Sequence, residues 1–403
     1  MTDLGVKGFT TRAVHAGERV PPGDFTPVAT PIHPSVGFVY ESMDDLDAIF
    51  ATTRPGYVYP RYGSPTVAAF ENAIAALEQG QAAHAFSTGM AAIHAALLSA
   101  GVRAGATIVA AQDLYGATTV LIARLLSELG ARVEMVDCTD HAAIDRAVAQ
   151  TRPVVLLAET ISNPLLKVAD IAALAEIAHR HGAQLLVDNT FASPYLCNPL
   201  VLGADYVIHS ATKYLGGHGD VMAGVVITSN ENRAKLYEIN KLVGGTLGAF
   251  EAWLALRGLK TLSLRVRQQC ANAQMIAEWL CAQTRIARVN YPGLRDHPQH
   301  ALAQKQFHAR GFGGVLSFEI RDADRAQTFR FMESLELCLA ATTLGDIYTL
   351  ALHPATSSHR SLTAEQRAQV GITEGLVRLS VGIEDVEDIR ADLARALSKM
   401  VPE

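Results

Sequence analysis

A lysine and an aspartate, Lys213 and Asp188, each follow a short apolar run. QLLVD (184–188) ends on the aspartate, and DYVIHS (205–210) leads into HSATKYLGGHGD with the lysine in the turn. A lysine amine that sheds its proton can attack an aldehyde and form a Schiff base. A carboxylate beside a pyridine-type ring nitrogen keeps that nitrogen protonated, the state in which the ring acts as an electron sink. The pair therefore suits pyridoxal 5′-phosphate (PLP), which carries an aldehyde, such a nitrogen and a phosphate. By position alone, a strand-end cap for Asp188 and an exposed loop lysine for Lys213 fit as well.

A phosphate needs a cradle. FSTGMAAI (86–93) reads as a small-residue turn opening a helix, so the N–H groups of Gly89 and Met90 form a candidate anion site. Ser210 and Thr212 flank Lys213 at alternate positions and offer two hydroxyls to the same phosphate. The alternative is that Ser87 and Thr88 are only helix caps. Tyr115, in QDLYG, could lay its ring over a planar cofactor and offer a phenol for proton transfer, or be a core tyrosine. Arg378 sits in the strand-like run GLVRLSVG (375–382), and a buried arginine requires an anion. A bidentate clamp on an amino acid's α-carboxylate is one use, an internal salt bridge the other. His353 and His359 in HPATSSH lack a carboxylate or cysteine at ligand spacing, so structural roles and no metal are expected. Neither G-x-G-x-x-G after the first strand nor G-x-x-x-x-G-K-[ST] occurs, which excludes the dinucleotide and P-loop fingerprints.

These groups need a scaffold that delivers them to one place. Runs at 106–111, 132–137, 153–159, 184–188, 205–210 and 223–228 are short and continuously apolar, as strands buried on both faces should be. Segments 116–129, 140–150 and 168–181 are long enough for crossover helices, giving a mostly parallel α/β sheet. In such sheets ligands bind beyond the carboxyl ends of the strands, which is where Tyr115, Glu159, Asp188 and Lys213 fall. Helices are expected at 66–79 and 90–100, a long one at 262–284, others at 323–335 and 385–400, and a strand at 313–320. Residues 255–403 thus read as a smaller α+β domain, 63–254 as the cofactor-binding α/β domain, and 1–62 as an extended arm. Pro21, Pro22, Pro27, Pro31, Pro34, Pro55 and Pro60 interrupt any long helix in that arm, which makes sense if it packs on something else, such as another subunit.

Composition narrows the classes. A net charge of −6 without a long basic run argues against nucleic acid and acidic membranes as partners. Five scattered cysteines without a C-x-x-C pair argue against a disulfide framework or a zinc knuckle. The first residues lack the apolar core of a secretory signal, and no run of about 18 apolar residues occurs, so a cytoplasmic protein is expected.

Taken together, the motifs resemble those of the Cys/Met-metabolism PLP enzymes: cystathionine γ-synthases and lyases, methionine γ-lyases and O-acylhomoserine sulfhydrylases. The most specific stretch is DNTFASPYLCNPLVLGADYVIHSATKYLGGHGDVMAG (188–224). YPRYGSPT (59–66), STGMAAI (87–93), DLYG (113–116), ETISNP (159–164), GFGGVLSF (311–318) and RLSVGIED (378–385) support it in the same order. The resemblance implies a fold-type-I enzyme, usually a homotetramer built from two tight dimers. It assigns Lys213 to the cofactor aldehyde, Asp188 to the ring nitrogen, Tyr115 to ring stacking and Asn163 to the ring hydroxyl. Gly89, Met90, Ser210 and Thr212 fall on phosphate positions, and Tyr59 and Arg61 on residues that reach the phosphate in the neighbouring subunit. Arg378 falls on the carboxylate-binding arginine, and Thr343 is counted with it as a substrate contact. Ser64, Ile161 and Cys197 depart from residues common in the family, away from the core chemistry.

Members that bind cystathionine resemble one another in a Glu where this chain has Thr342, and cystathionine γ-lyases often have an arginine at the place of Val120. Lacking both charges, the pocket is expected to prefer a compact, uncharged γ-substituent, as in methionine, homocysteine or an O-acetyl homoserine. Ala117 stands where methionine γ-lyases typically carry a cysteine. Despite that departure, the uncharged pocket points to γ-elimination giving 2-oxobutanoate, ammonia and a thiol. γ-Replacement on an O-acetyl- or O-succinylhomoserine, as by a sulfhydrylase or a cystathionine γ-synthase, is the alternative, and cystathionine γ-lyase activity the third option.

Overall fold

The computed structural model describes residues 7–18, 26–360 and 363–400. Pro21 and Pro22 of the arm lie outside them. Seven strands form the main sheet: β1 (Ala82–Phe86), β2 (Thr107–Ala111), β3 (Arg132–Val136), β4 (Val155–Glu159), β5 (Gln184–Asp188), β6 (Tyr206–Ser210) and β7 (Gly224–Thr228). Their order is β1-β7-β6-β5-β4-β2-β3. The run from β6 to β3 is parallel, and β7 is antiparallel to both of its neighbours. β2, β4 and β7 are buried along their whole length, the physical reason their sequences are continuously apolar. Because β6, β5, β4 and β2 are adjacent and co-directional, their carboxyl ends lie side by side along one edge.

All six expected strands are present. β1 was not foreseen: AAHAF has no β-branched residue and a polar His84 at its centre, so its sequence carries little strand signal. It holds its place by pairing along its whole length with β7. The helix Gly89–Ser99 starts just past β1 and aims its N-terminus at the same edge as the ends of β2, β4, β5 and β6.

The second sheet comprises β8 (Ile286–Asn290), β9 (Val315–Ile320), β10 (Leu339–Ala340), β11 (Leu350–Leu352) and β12 (Leu376–Ser380), in the order β10-β11-β12-β9-β8. It is covered by helices Arg325–Glu333 and Val386–Ser398. A helix from Ala249 to Cys281, 33 residues and hence about 50 Å long, joins the two units. Leu256, Leu259 and Leu262 enter the first core, and Ile276, Ala277 and Leu280 the second. This helix starts well before the expected residue 262. Gly258 obscures the signal there, since glycine weakens a helix interior. The glycine has a packing reason: a Cβ on it would stand 2.3 Å from the Leu215 carbonyl oxygen. Two turns later, the buried Arg265 donates to the carbonyls of Tyr214 and Gly258, each at 2.8 Å. The long helix thus clasps the turn that carries Lys213.

The arm behaves in two ways. Phe9–His15 forms a short helix whose Phe9 and Ala13 are buried against the chain's own helices Pro65–Glu78 and Ala249–Cys281. That part of the arm needs no second subunit to pack. Residues 26–60 remain largely exposed apart from anchors such as Trp253 Nε1 to Thr30 O, 3.1 Å. The helix Met43–Phe50 within this stretch buries none of its residues. Among the described residues no helix is long and apolar enough to cross a membrane.

Candidate active site

A cavity of about 450 Å³ lies along the shared strand edge and is closed from the far side by β12 and the 342–358 segment. Lys213 reaches it from the turn after β6. Its Nζ donates to Thr343 Oγ1 at 2.7 Å. Burial, reinforced by the positive charge of Arg378, lowers its pKa to about 8. An amine so placed is neutral in a substantial fraction of molecules near neutral pH, which a nucleophilic lysine requires. Asp188 ends β5 and lines the same cavity, with its Oδ1 accepting the Thr190 N–H at 2.9 Å. Burial raises its pKa, while the hydrogen bonds from Thr190 oppose the rise. The hydroxyl of Thr190 in turn accepts the Ser210 N–H at 2.9 Å, locking the end of β5 to the end of β6.

Gly89, Met90, Ser210 and Thr212 line the same cavity. Thr88 caps the helix by accepting the Ala91 N–H, so the cap reading of Thr88 holds and leaves the N–H groups of Gly89 and Met90 to face an anion. A Cβ on Gly89 would stand 2.9 Å from Ser210 Cβ, so only glycine lets the helix N-terminus approach β6 this closely. Thr212 is already engaged: its hydroxyl exchanges hydrogen bonds with Ala223 N and O.

Tyr115 stands at the cavity mouth, 45% exposed, so it is not a core tyrosine. Its N–H donates to Glu159 Oε1 at 2.5 Å. Asn163 is buried, and its Oδ1 accepts from Arg378 Nη1 at 3.1 Å. Arg378, in β12, is 3% exposed, and its Nη2 donates to the Thr343 carbonyl at 3.0 Å. Its Nε has no partner, and among the described residues no carboxylate pairs with it. The internal salt bridge is therefore absent, and burial lowers the guanidinium pKa to about 10. A buried, unneutralised guanidinium facing a cavity is a receptor for an anionic ligand.

Thr343 touches both Lys213 and Arg378, a coupling across 130 and 35 residues of sequence that no local pattern signals. Tyr59 and Arg61 do not line this cavity. Arg61 lies over the Tyr59 ring, 4.9 Å from its centroid, and donates to the Lys241 carbonyl. Thr342 lines the cavity, whereas Val120 borders a separate one of about 310 Å³. His353 and His359 have local structural partners, Thr356 with the Glu374 carbonyl and Ser358 respectively.

The donor set fits PLP. A helix N-terminus and a serine suit the phosphate, a strand-end carboxylate a ring nitrogen, a pKa-depressed lysine the aldehyde, and an orphaned guanidinium the carboxylate of an amino acid. The comparisons agree. The family model for Cys/Met metabolism PLP-dependent enzymes matches residues 10–398. The L-methionine gamma-lyase of Fusobacterium nucleatum subsp. polymorphum is 42% identical, over 98% of each chain. The O-succinylhomoserine sulfhydrylase of Pseudomonas aeruginosa is also 42% identical, over 99% of this chain and 97% of the other. Among solved structures, cystathionine gamma synthase from Xanthomonas oryzae pv. oryzae, in complex with cystathionine, superposes with a TM-score of 0.91 at 38% identity, over 98% of each chain. The chain belongs to the Cys/Met metabolism PLP-dependent enzymes, has the fold-type-I architecture, and takes pyridoxal 5′-phosphate as its cofactor.

Proposed function

We propose that the protein catalyses γ-elimination on a sulfur amino acid such as methionine or homocysteine, converting it with water to 2-oxobutanoate, ammonia and a thiol. The observation that carries this reading is the set of charges in the cavity: Glu159, Asp188, Lys213 and Arg378. The last three are assigned to the cofactor and the substrate α-carboxylate, and Glu159 is engaged by the main-chain N–H of Tyr115. No charge remains for the distal ammonium and carboxylate of cystathionine, and burying those unpaired costs about 1–3 kcal/mol each or more. Met222, Thr342, Leu344 and Leu352 suit a compact, uncharged γ-substituent. The L-methionine gamma-lyase relatives support the same choice.

In this reading Gly89, Met90, Ser210 and Thr212 bind the cofactor phosphate, Asp188 its ring nitrogen, Asn163 its ring hydroxyl and Tyr115 its face. The bound cofactor supplies an electron sink for the charge that develops at Cα and then at Cβ. Arg378 holds the substrate carboxylate and so orients the Cα–H bond. The freed Lys213 amine takes the Cα proton and moves protons at Cβ, with the Thr343 hydroxyl as its resting partner. The Tyr115 phenol, at the mouth, is placed to exchange a proton with the leaving sulfur. Tyr59 and Arg61, which lie off their own cavity, act in a neighbouring subunit of a homotetramer. The exposed apolar side chains of residues 26–60, among them Val39 at 100% and Met43 at 76%, support burial against another copy. The arm (1–62), the cofactor unit (63–254) and the C-terminal unit (255–403) are the working parts, in a cytoplasmic enzyme. The five cysteines, none in a disulfide, support that location.

One observation favours a second reading, γ-replacement on an O-acetyl- or O-succinylhomoserine: the sulfhydrylase relative is as similar as the lyases. Incubation with methionine alone, then with O-acetylhomoserine plus sulfide, separates the two. 2-Oxobutanoate from methionine is expected. Homocysteine formed from the ester without methionine breakdown selects the second reading, and 2-oxobutanoate from cystathionine alone overturns both.

A further inference from the structure

Glu159 is the second carboxyl of the cavity beside Asp188. It ends β4, is 9% exposed and stands in register with Asp188 on β5. Its Oε1 accepts the N–H of Tyr115, from the turn after β2, at 2.5 Å. The main-chain N–H of Asn163, from the turn after β4, also faces the carboxyl and favours its charged form. Those two turns carry the residue over the cofactor face and the residue that holds Arg378 through Asn163 Oδ1. One side chain therefore ties two loops of the site to the strand that supplies the ring-nitrogen carboxylate.

We propose that Glu159 is a positioning residue: by accepting the main-chain N–H groups of Tyr115 and Asn163, it fixes both turns against Asp188 and so sets the height of the Tyr115 ring over the cofactor. Loops past strand ends carry no ladder partners of their own, so a buried acceptor decides where they sit. Two carboxyls side by side in a buried cavity do not both ionise readily. Burial, reinforced by the charge of Asp188, raises the pKa of Glu159 well above the carboxylate range, while the main-chain N–H groups of Tyr115 and Asn163 oppose the rise. Glutamine keeps the shape and a carbonyl acceptor for the turns, and an apolar side chain of the same size keeps neither acceptor.

The inference rests on Tyr115 acting at the cofactor face, and the test separates the two claims. PLP is titrated into the cofactor-stripped full-length chain, and its dissociation constant is read from the visible absorbance band. Y115A alone is expected to weaken PLP binding at least tenfold; parent-like binding in Y115A overturns the ring assignment itself. E159M, which keeps volume but removes both acceptors, is expected to weaken binding at least tenfold, and E159Q to recover it to within threefold of the parent. The Y115A/E159M double variant is expected to lose less than the product of the two single losses, because Glu159 acts through the ring. Parent-like binding in E159M, no recovery in E159Q, or strictly multiplicative losses each overturn the positioning role. Should E159M not fold, E159S, small enough to admit a water, takes its place under the same criteria.

Discussion

Consecutive residues at the ends of β5 and β6 serve two buried polar clusters of opposite character. Asp188 and Ser210 face the cavity. Their neighbours Asn189 and His209 turn to the other side and meet Glu78, which is fully buried. There Glu78 Oε1 accepts from Asn189 Nδ2 at 2.9 Å and bonds His209 Nε2 at 2.6 Å, while Oε2 accepts from Asn198 Nδ2 at 3.2 Å. That carboxyl is satisfied by its own chain. On the cavity side, Arg378 keeps an unpartnered Nε and no carboxylate, and Lys213 has only a neutral hydroxyl. The Glu78 cluster fixes where the strand ends lie. The cavity cluster is left incomplete for a ligand to finish, and its charges cost stability in the ligand-free chain. The difference separates a scaffold from a site using groups one residue apart.

That contrast can be broken by exchanging the expected outcomes. K213A should lower kcat by about 10³-fold or more in a 2-oxobutanoate assay, with little change in fold, since covalent and general-base roles vanish together. E78L should do the reverse. It strands Asn189, His209 and Asn198 and should cost about 3–5 kcal/mol in urea unfolding of the cofactor-free chain. R378M sharpens the comparison. It removes an uncompensated buried charge, so stability should stay within about 1 kcal/mol, while kcat/KM falls by about 10²-fold through loss of a bidentate anion clamp. A loss of several kcal/mol in R378M would move Arg378 into the scaffold. The smallest effect is on pH. The Lys213 amine is cationic below its pKa of about 8 and neutral above it. Uptake of PLP by the stripped chain should therefore quicken about tenfold from pH 7 to 9, whereas an ordinary lysine would still be gaining rate steeply above pH 10.

The comparison also marks what was readable in the sequence. Apolar runs announced β2 to β7, and because β2, β4, β5 and β6 are parallel neighbours, the residues that end those four had to converge. Tyr115, Asp188 and Lys213 were legible for that reason. Gly89 was legible as the opening of a helix, although β1, which positions it, was not: its short AAHAF run is a strand only because β7 pairs with it. The partnerships inside the site were hidden. Lys213 with Thr343 spans 130 residues, Arg378 with Asn163 spans 215, and Glu159 with Tyr115 spans 44. Such pairings belong to tertiary packing, and periodicity carries no trace of them. The Glu78 cluster was missed altogether, because Glu78 reads as one more polar residue near the end of an amphipathic helix.

Lys213 as the residue that holds the cofactor is the claim on which every assignment in the cavity depends. Borohydride reduction of the PLP-loaded enzyme, followed by proteolysis and mass mapping, fixes the cofactor to whichever lysine carries it. The account predicts a phosphopyridoxyl mass on the peptide containing Ser210–Gly217, at Lys213, in near-stoichiometric yield. Modification spread over other lysines, or a stoichiometric mass on any one of them, would contradict it.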